Sequence, residues 1–414
     1  MRKQGSLLVV LTAACVAMFA ACTPAPVPTT TTSTIAPTTT VAPTTTVAPQ
    51  DCTARGPGVD LYGCNLSYVD LSDIDLTDAN LSYSNLYGAN LIGANLRNAN
   101  LTGAYLGSAN LKSADLSGAN LTSAGLNHAY LTGANLTDAN LTDAKLSGAS
   151  LLDATLTGAN LSGARLTGPL TNVTSGGIIG TPGALPDQWR LVGGFLVGPV
   201  ANLTGVDLVG VNLSYASLYG ANLTYANLDG ADLRNANLSF ADLTGANLSN
   251  ANLTGANLSN ATSTDANLTD ASLTGTVLTG MTSGGIIGTP AALPTGWQVI
   301  GGYLVGPGAK LSYANLTGAN LSGANLSGAL LSYVNLSAAN LAGADLRTAF
   351  LGSANLTGGN LSGAMLRGAN LTYADLTGVD LTDADVTDAT LTGVIWYNTT
   401  CPNGVVQSTE CPRN

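Results

Sequence analysis

The stretch GANLTDANLTDAKLSGA, residues 133–149, contains one leucine in every five residues. Leu136, Leu141 and Leu146 mark this repeat, and an alanine stands two places before each of them. An α-helix turns about 100° per residue, so leucines at this spacing would spiral around its surface without forming an apolar face. A strand alternates sides, so Ala–Asn–Leu can point in, out and in, and the next two residues can turn a corner. The pattern predicts short extended segments joined by bends, wound into a solenoid with Leu and Ala inside.

The same repeat organises most of the 414-residue chain. Every fifth residue is leucine over 61–166, and the repeat resumes over 203–278 and 311–391 with one exception in each range, Ser263 and Val386. Charged residues make up only 9% of the chain and aromatic residues 5%. This composition is typical of a repeat architecture rather than of two or three ordinary globular domains.

The pentads resemble the consensus A-(D/N)-L-x-x of the pentapeptide repeat family over nearly all of residues 59–395 outside two inserts. The resemblance implies an all-β fold, a right-handed quadrilateral parallel β-helix with about 20 residues in each coil. Tyr313, Tyr333 and Tyr373 lie at multiples of that spacing, with Ser353 between them, so they would form one column. A packing ladder between coils is the favoured interpretation of the column. The column is also a candidate interaction surface, because aromatic residues are enriched at interfaces.

Residues 1–21 have the features of an export signal, with a basic start and an apolar run too short to span a membrane. The run ends in FAAC, residues 19–22, which resembles the lipobox of bacterial lipoproteins. The resemblance implies that Cys22 is lipidated and becomes the mature N-terminus, and a plain secretory signal cut near Ala21 is the alternative. Residues 22–50 are rich in Thr and Pro and predict a disordered tether. The folded part is therefore expected outside the cytoplasm, either anchored to the membrane by lipid or secreted.

Four further cysteines stand just before or within the first repeats and after the last ones. In an oxidising compartment they favour two local disulfides, Cys52–Cys64 and Cys401–Cys411. Cys64 also occupies an inward repeat position, so a plain core thiol is the alternative there. Zinc is disfavoured because the pairs stand at opposite ends of the repeats and the chain has a single histidine. No metal or cofactor is expected.

Two inserts, 169–200 and 279–308, interrupt the repeats. In the first, Trp189–Val192 and Phe195–Val197 flank a Gly-Gly pair, which predicts a tight β-hairpin, and the second insert repeats the pattern around Gly301–Gly302. We interpret each hairpin as a cover or spacer between solenoid segments, with a partner-binding arm as the alternative. The remaining boundaries are repeat block 1 with an N-terminal cap at 51–168, block 2 at 201–278, block 3 at 309–395 and a C-terminal cap with a disulfide loop at 396–414.

Residues suited to catalysis are sparse. His128 stands at an outward corner with no nucleophile beside it in the repeat, which disfavours a catalytic dyad or triad. Aspartates cluster near both ends of the repeats, at Asp70, Asp73, Asp75 and Asp78 and again at Asp375, Asp380, Asp383, Asp385 and Asp388. Paired carboxylates can serve a glycosidase or bind calcium, but a solvated acidic surface is the favoured interpretation. Arg347 and Arg367 hold equivalent positions in successive coils and would stack like charges, a weak anion site at best.

A net charge of −11 argues against nucleic-acid binding. The sequence therefore favours an exported, lipid-anchored and non-enzymatic surface scaffold or protein-interaction module, whose partner is an unknown protein or cell-envelope component. Some members of the family that the repeats resemble mimic DNA and bind gyrase, which makes a gyrase-binding DNA mimic the first alternative. Ice or mineral-surface binding by rows of Ser and Thr is the second alternative.

Overall fold

The computed structural model describes residues 50–412, which form a four-sided β-helix with one short backbone bridge per pentad. Parallel bridges join each bridging residue to its equivalent four pentads later, as in Asp60↔Asn80 and Asn80↔Asn100. Four pentads complete one coil, so the quadrilateral parallel β-helix expected from the resemblance is confirmed. We number the faces 1 to 4 in chain order, by the bridging residues of the first coil: Asp60, Asn65, Asp70 and Asp75.

The pentad around Leu136 shows how the repeat folds. The Oδ1 atom of Asn135 accepts hydrogen bonds from the backbone N–H of Thr137 at 3.1 Å and from its hydroxyl at 2.6 Å, which closes the turn. Asp138 then adopts a φ of 56° at the corner. The N–H of Leu136 donates to the carbonyl of Thr155 in the next coil at 2.8 Å. Where the outward residue is Asn or Asp, its side chain can therefore cap the bend, while the backbone pairs along the axis of the helix.

The interior is filled by the leucine and alanine positions. Leu136, Leu141 and Leu146 are at most 1% exposed, and the alanines that precede them are equally buried. Each buried leucine stabilises the fold by roughly 1.5–3 kcal/mol relative to an exposed one. Because a small side chain alternates with a large one on the inner surface, the narrow core is filled without large voids.

Face 4 carries one uninterrupted column of bridges, which we call the spine. Each of its members is bridged to the next across both inserts, whereas the columns of the other three faces stop at each hairpin within residues 50–412. The spine consists of Asp75, Asn95, Asp115, Asn135, Thr155, Thr174, Asn202, Asn222, Asp242, Thr262, Thr282, Lys310, Leu330, Phe350, Asn370 and Thr390. The solenoid is thus one continuous body along this face.

The inserts begin as ordinary coil and end as hairpins. Thr174, Ile179 and Ala184 still bridge the preceding coil, but the next spine residue is Asn202, well beyond the position that a regular coil would place there. The extra length forms the predicted hairpins. In the first insert β1 (Arg190–Val192) pairs antiparallel with β2 (Phe195–Val197), and in the second β3 (Gln298–Ile300) pairs with β4 (Tyr303–Val305).

Each hairpin lies between two coils and divides the hydrophobic core. Leu196 belongs to the core on the N-terminal side of the first hairpin, and Val197 belongs to the core on its C-terminal side. The N–H of Leu196 donates to the hydroxyl of Ser175 at 2.9 Å, and the N–H of Ile178 donates to the carbonyl of Gly194 at 3.0 Å. Leu304 and Val305 repeat this division at the second hairpin. The spacer interpretation therefore describes the packing, with the hairpin inside the stack of coils.

One coil before the first hairpin is shorter than the others, because Thr155 bridges Thr174 where the regular spacing would pair it with position 175. The shortened turn contains Gly168, whose backbone lies against the carbonyl of Ala149. A Cβ atom added at Gly168 would lie 1.9 Å from that oxygen. Only glycine fits this approach without a shift of the backbone.

Both ends of the solenoid carry a disulfide. Cys52 is bonded to Cys64, and Cys401 to Cys411. At the C-terminal end Cys401 is buried, and the hydroxyl of Thr399 donates to the carbonyl of Leu376 at 2.8 Å. A short antiparallel pair, β5 (Thr399–Thr400) with β6 (Val406–Gln407), closes this end. The edges of the terminal coils, which would otherwise be open for strand pairing, are partly covered.

Over residues 50–412 the structure has no helix of the length and apolarity needed to cross a bilayer. The predicted signal at 1–21, Cys22 and nearly all of the predicted tether lie outside the described residues, as do Arg413 and Asn414. The predictions for those segments stay predictions.

Candidate interaction surface

The corner position of the pentad, two residues after each central leucine, has a left-handed backbone. Glycine, asparagine and aspartate adopt this conformation most easily. Eight aromatic residues nevertheless occupy it with φ between 56° and 66°: Tyr68, Tyr83, Tyr215, Tyr225, Phe240, Tyr313, Tyr333 and Tyr373. Their side chains are 55–75% exposed, so burial does not compensate for the strained backbone.

The predicted column of Tyr313, Tyr333 and Tyr373 lies at the corner that follows the spine. The rings of Tyr313 and Tyr333 are stacked, with centroids 5.0 Å apart and planes 3° apart. Ser353 separates Tyr333 from Tyr373, and the ring of Tyr373 lies over Gly393 instead. The structure therefore brings two of the three predicted residues into contact and leaves the third on the same corner.

The sequence analysis missed the other aromatic corners. Tyr225 lies on the same corner as Tyr313 in an earlier coil, and its ring covers Gly245, the corner residue of the next coil. Tyr68 covers Gly88 and Tyr83 covers Gly103 in the same way. The common signal is an aromatic residue two places after a central leucine and one coil before a glycine. That signal can be read from the sequence once the coil length is known.

A second aromatic group was also missed, near the N-terminal end. The rings of Tyr87 and Tyr105 are stacked, with centroids 5.6 Å apart and planes 10° apart. Tyr68 meets Tyr87 edge-on at 5.4 Å, and Tyr62 meets Tyr83 edge-on at 5.9 Å. Five tyrosines thus cover two adjoining faces within the first three coils, an aromatic density found nowhere else in residues 50–412.

Two of the aspartates near the N-terminal end of the repeats cap turns. Asp70 and Asp75 stand one residue before a central leucine and cap the bend, as Asn135 does. Hydrogen bonds from the hydroxyl and backbone N–H of Ser72 lower the pKa of Asp70, and those of Thr77 lower the pKa of Asp75. These carboxylates are therefore engaged in turn capping. Within residues 50–412 no three His, Cys, Asp or Glu side chains are grouped closely enough to hold a metal ion.

Arg347 and Arg367 line a shallow open cavity of about 410 Å³ near the C-terminal end of face 3. Arg347 makes a bidentate ion pair with Asp345, at 2.9 Å and 2.6 Å, and Arg367 lies 3.6 Å from Asp388. The hydrogen bond from Arg347 lowers the pKa of Asp345. Because each guanidinium already has a carboxylate partner, the cavity carries little free positive charge for an anion.

His128 is exposed at a corner of the solenoid, and its imidazole lies over the backbone of Gly148. It has no hydrogen bond or ion pair with any side chain among residues 50–412. This geometry places neither a nucleophile nor an orienting carboxylate beside the ring.

Comparison with known proteins identifies the repeat. The sequence profile described as "Pentapeptide repeats" matches residues 60–98, 99–138, 134–168, 201–239, 241–280, 309–347, 335–372, 349–383 and 360–396. The chain belongs to the pentapeptide repeat family. This confirms the resemblance read from the pentads. Family members generally act as structural or interaction modules.

Solved structures of pentapeptide repeat proteins resemble the chain at low similarity. HetL, involved in heterocyst differentiation regulation in the cyanobacterium Nostoc sp. strain PCC 7120, is 24% identical; the match covers 85% of this chain and 92% of HetL, with a TM-score of 0.23. A protein of the Arabidopsis thaliana thylakoid lumen is 37% identical over 25% of this chain and 69% of its own, with a TM-score of 0.18. QnrB1, a plasmid-mediated fluoroquinolone resistance protein, is 18% identical over 56% of this chain and 93% of its own, with a TM-score of 0.20. No curated protein matches the chain. At these TM-scores the likenesses carry no inference about function.

Proposed function

We propose that this pentapeptide repeat protein is an exported, non-enzymatic surface scaffold, anchored by a lipid on Cys22, whose aromatic corners bind a protein partner. The observation that carries the proposal is the set of eight exposed aromatic side chains at left-handed corners, where glycine is the favoured residue. A bulky residue in this conformation costs about 1–2 kcal/mol. Aromatic side chains are enriched at the buried centres of protein interfaces, where they supply much of the binding energy.

Export is supported by features at both ends of the chain. The disulfides Cys52–Cys64 and Cys401–Cys411 suit an oxidising compartment, and they weigh against a cytoplasmic partner such as gyrase. The motif FAAC at residues 19–22 supports lipidation, and the Thr/Pro-rich composition of 22–50 suits a tether that holds the rod away from the membrane.

The partner surface can be tested by site-specific photocrosslinking on intact cells. A photoreactive phenylalanine analogue at Tyr313 is expected to crosslink a defined protein in the membrane fraction. The same analogue at Gly343, a corner residue on another face, serves as the matched control. The Tyr333→Ala substitution should weaken the crosslink from position 313, because Tyr333 stacks directly on Tyr313. Equal crosslinking from both positions, or none from either, would contradict the proposed surface.

The anchor has a separate test. Mass spectrometry of the mature protein is expected to find a lipid-modified Cys22 at the N-terminus, with the protein in the membrane fraction. The Cys22→Ala variant should lose the modification and leave that fraction. A mature N-terminus at or near Cys22 without lipid would instead indicate the secreted form.

A further inference from the structure

Face 2 of the first solenoid segment carries an unusual column of outward residues. Tyr105, Gly125, Lys145 and Arg165 are bridged in that order, each to the next. At the usual spacing between paired strands, the column from the tyrosine to the arginine is about 14 Å long. It therefore joins an aromatic platform to two stacked cations on the surface of a chain whose net charge is −11.

The two cations lie directly opposite each other without an acidic partner. Arg97, Arg234, Arg347 and Arg367 each lie within 4.0 Å of an aspartate carboxylate. Among the residues that the structure describes, Lys145 and Arg165 make no ion pair, although both are exposed. The preceding corner residue, Asp143, directs its carboxylate over Gly163. Like charges opposite each other on adjacent strands destabilise a sheet, so the fold gains nothing from this arrangement.

The aromatic end of the column consists of two stacked tyrosine rings. Tyr105 is half exposed and stacks with Tyr87, and its ring leans over Gly125 and Gly107. A Cβ atom at Gly107 would lie 3.2 Å from both rings, so the missing side chain leaves room for them. Because these two glycines have no side chains, the surface between the tyrosine rings and the two cations is unobstructed.

Polar groups flank the cations. Asn127 and Ser147 follow the central leucines of face 2, where a residue normally hydrogen-bonds to the capping Asn or Asp two places earlier. Those capping positions are here Gly125 and Lys145, which have no side-chain oxygen. The side chains of Asn127 and Ser147 have no hydrogen-bond partner among residues 50–412 and are available to a ligand.

We propose that this face binds an acidic polysaccharide, with a sugar ring on Tyr87 and Tyr105 and carboxylates on Lys145 and Arg165. The negative face of an aromatic ring attracts the C–H groups on the apolar side of a sugar ring. Lysine and arginine pair with carboxylates, and arginine does so through two parallel hydrogen bonds. An extended polymer suits a flat column several coils long. This inference names a cell-envelope partner for the scaffold, so it rests on the proposed export but not on the Tyr313 surface.

The test uses the full mature chain in detergent and three polymers. Polygalacturonate offers sugar rings with carboxylates, its methyl ester offers the same rings without charge, and polyglutamate offers carboxylates without rings. We expect polygalacturonate to bind more tightly than either of the others, with an affinity that falls as salt is added. The paired substitution Lys145→Gln and Arg165→Gln should weaken binding at least about tenfold, and so should Tyr87→Thr with Tyr105→Asn, which restore residues usual at those positions.

Lys112→Gln is the matched control, because Lys112 is an exposed cation without an ion pair on face 3, and it should leave binding unchanged. Thermal unfolding of each variant reports whether the fold is intact. The proposal is overturned if polygalacturonate does not bind, or if its methyl ester or polyglutamate binds as tightly. It is also overturned if either pair of substitutions leaves polygalacturonate binding unchanged. Photocrosslinking at Tyr313 would be unaffected by these outcomes, so the scaffold proposal stands or fails separately.

Discussion

Leu196 and Val197 are adjacent in the chain, yet their buried side chains belong to two different hydrophobic clusters. The hairpin that contains them lies between two coils, and within residues 50–412 the spine bridge Thr174↔Asn202 is the one β-bridge between those coils. Leu304 and Val305 make the same division farther along. In a repeat protein, stability is close to a sum of contacts between neighbouring coils. The two hairpins therefore define three core segments that can open separately.

The three core segments predict which part of the chain a core mutation destabilises. Leu228→Ala should destabilise the middle segment by about 2–5 kcal/mol, because it leaves a cavity in a fully buried position. Hydrogen exchange should speed up at the amides of 203–278 and change little over 61–166 and 311–391. Leu351→Ala is the matched control, and it should speed up hydrogen exchange only in the last segment. Uniform loss of protection along the whole chain would show that the hairpins do not separate the segments.

The shortened coil predicts a strict requirement for glycine. Gly168→Ala should lower the free energy of unfolding by at least about 2 kcal/mol, because the new Cβ would overlap the carbonyl of Ala149. Gly352→Ala is the control, since its Cβ would lie 3.7 Å or more from its neighbours and its backbone is not left-handed. Chemical denaturation of both variants measures the difference. Equal stability of the two variants would mean that the turn at Gly168 relaxes at no cost.

Ser263 predicts a stabilising substitution. It occupies a leucine position, is fully buried, and its hydroxyl has no hydrogen-bond partner in the described part of the chain. Ser263→Ala should raise the free energy of unfolding by about 1 kcal/mol, because an unsatisfied buried hydroxyl is removed. Ser84→Ala should not, since the equally buried hydroxyl of Ser84 donates to the carbonyl of Leu81 at 2.7 Å. A loss of stability in Ser263→Ala, measured by calorimetry, would indicate that a water molecule satisfies the hydroxyl.

Turn capping by carboxylates predicts a loss of stability in acid. The hydrogen bonds to Asp70 and Asp75 lower their pKa values in the folded chain. Their stabilisation is therefore present above the unfolded pKa of about 3.9 and is lost as the pH falls through the lower folded value. Asparagine caps the same bend without titrating, as Asn135 does, so Asp70→Asn with Asp75→Asn should reduce the fall in Tm between pH 7 and pH 3. An equal fall in Tm in the double variant and in the wild type, measured by thermal unfolding at both pH values, would contradict this prediction.

The repeat and its consequences could be predicted from the sequence because they depend on local pattern. The five-residue spacing around Leu136 requires an inward alanine, an inward leucine and a bend, and the family resemblance supplied the coil length. The Gly-Gly pair at Gly193–Gly194 identified the hairpin in the same local way. The sequence left a cover and a spacer both open for this hairpin, because apolar strands pack equally well against the outside of a solenoid and between its coils.

The candidate surfaces were predicted only in part, for a different reason. The column of Tyr313 and Tyr333 was visible because both residues occur at the same place in the pentad, one coil length apart. Lys145 and Arg165 have the same spacing, but their missing acidic partners become apparent only when every side chain is placed. Gly168 looks like any other turn glycine in the sequence, and only the distance to the carbonyl of Ala149 distinguishes it.

The aromatic corners predict that an exposed ring can be removed with little loss of folding stability. Tyr225→Gly should keep the free energy of unfolding within about 1 kcal/mol of the wild type, because relief of the left-handed strain offsets the lost contact with Gly245. Tyr333→Gly should be the less stable variant, since it also loses the stack with Tyr313, worth about 0.5–1.5 kcal/mol. Chemical denaturation gives both values. Destabilisation by more than about 2 kcal/mol in both variants would favour the packing-ladder interpretation, because the rings would then stabilise the coils beyond the strain they impose.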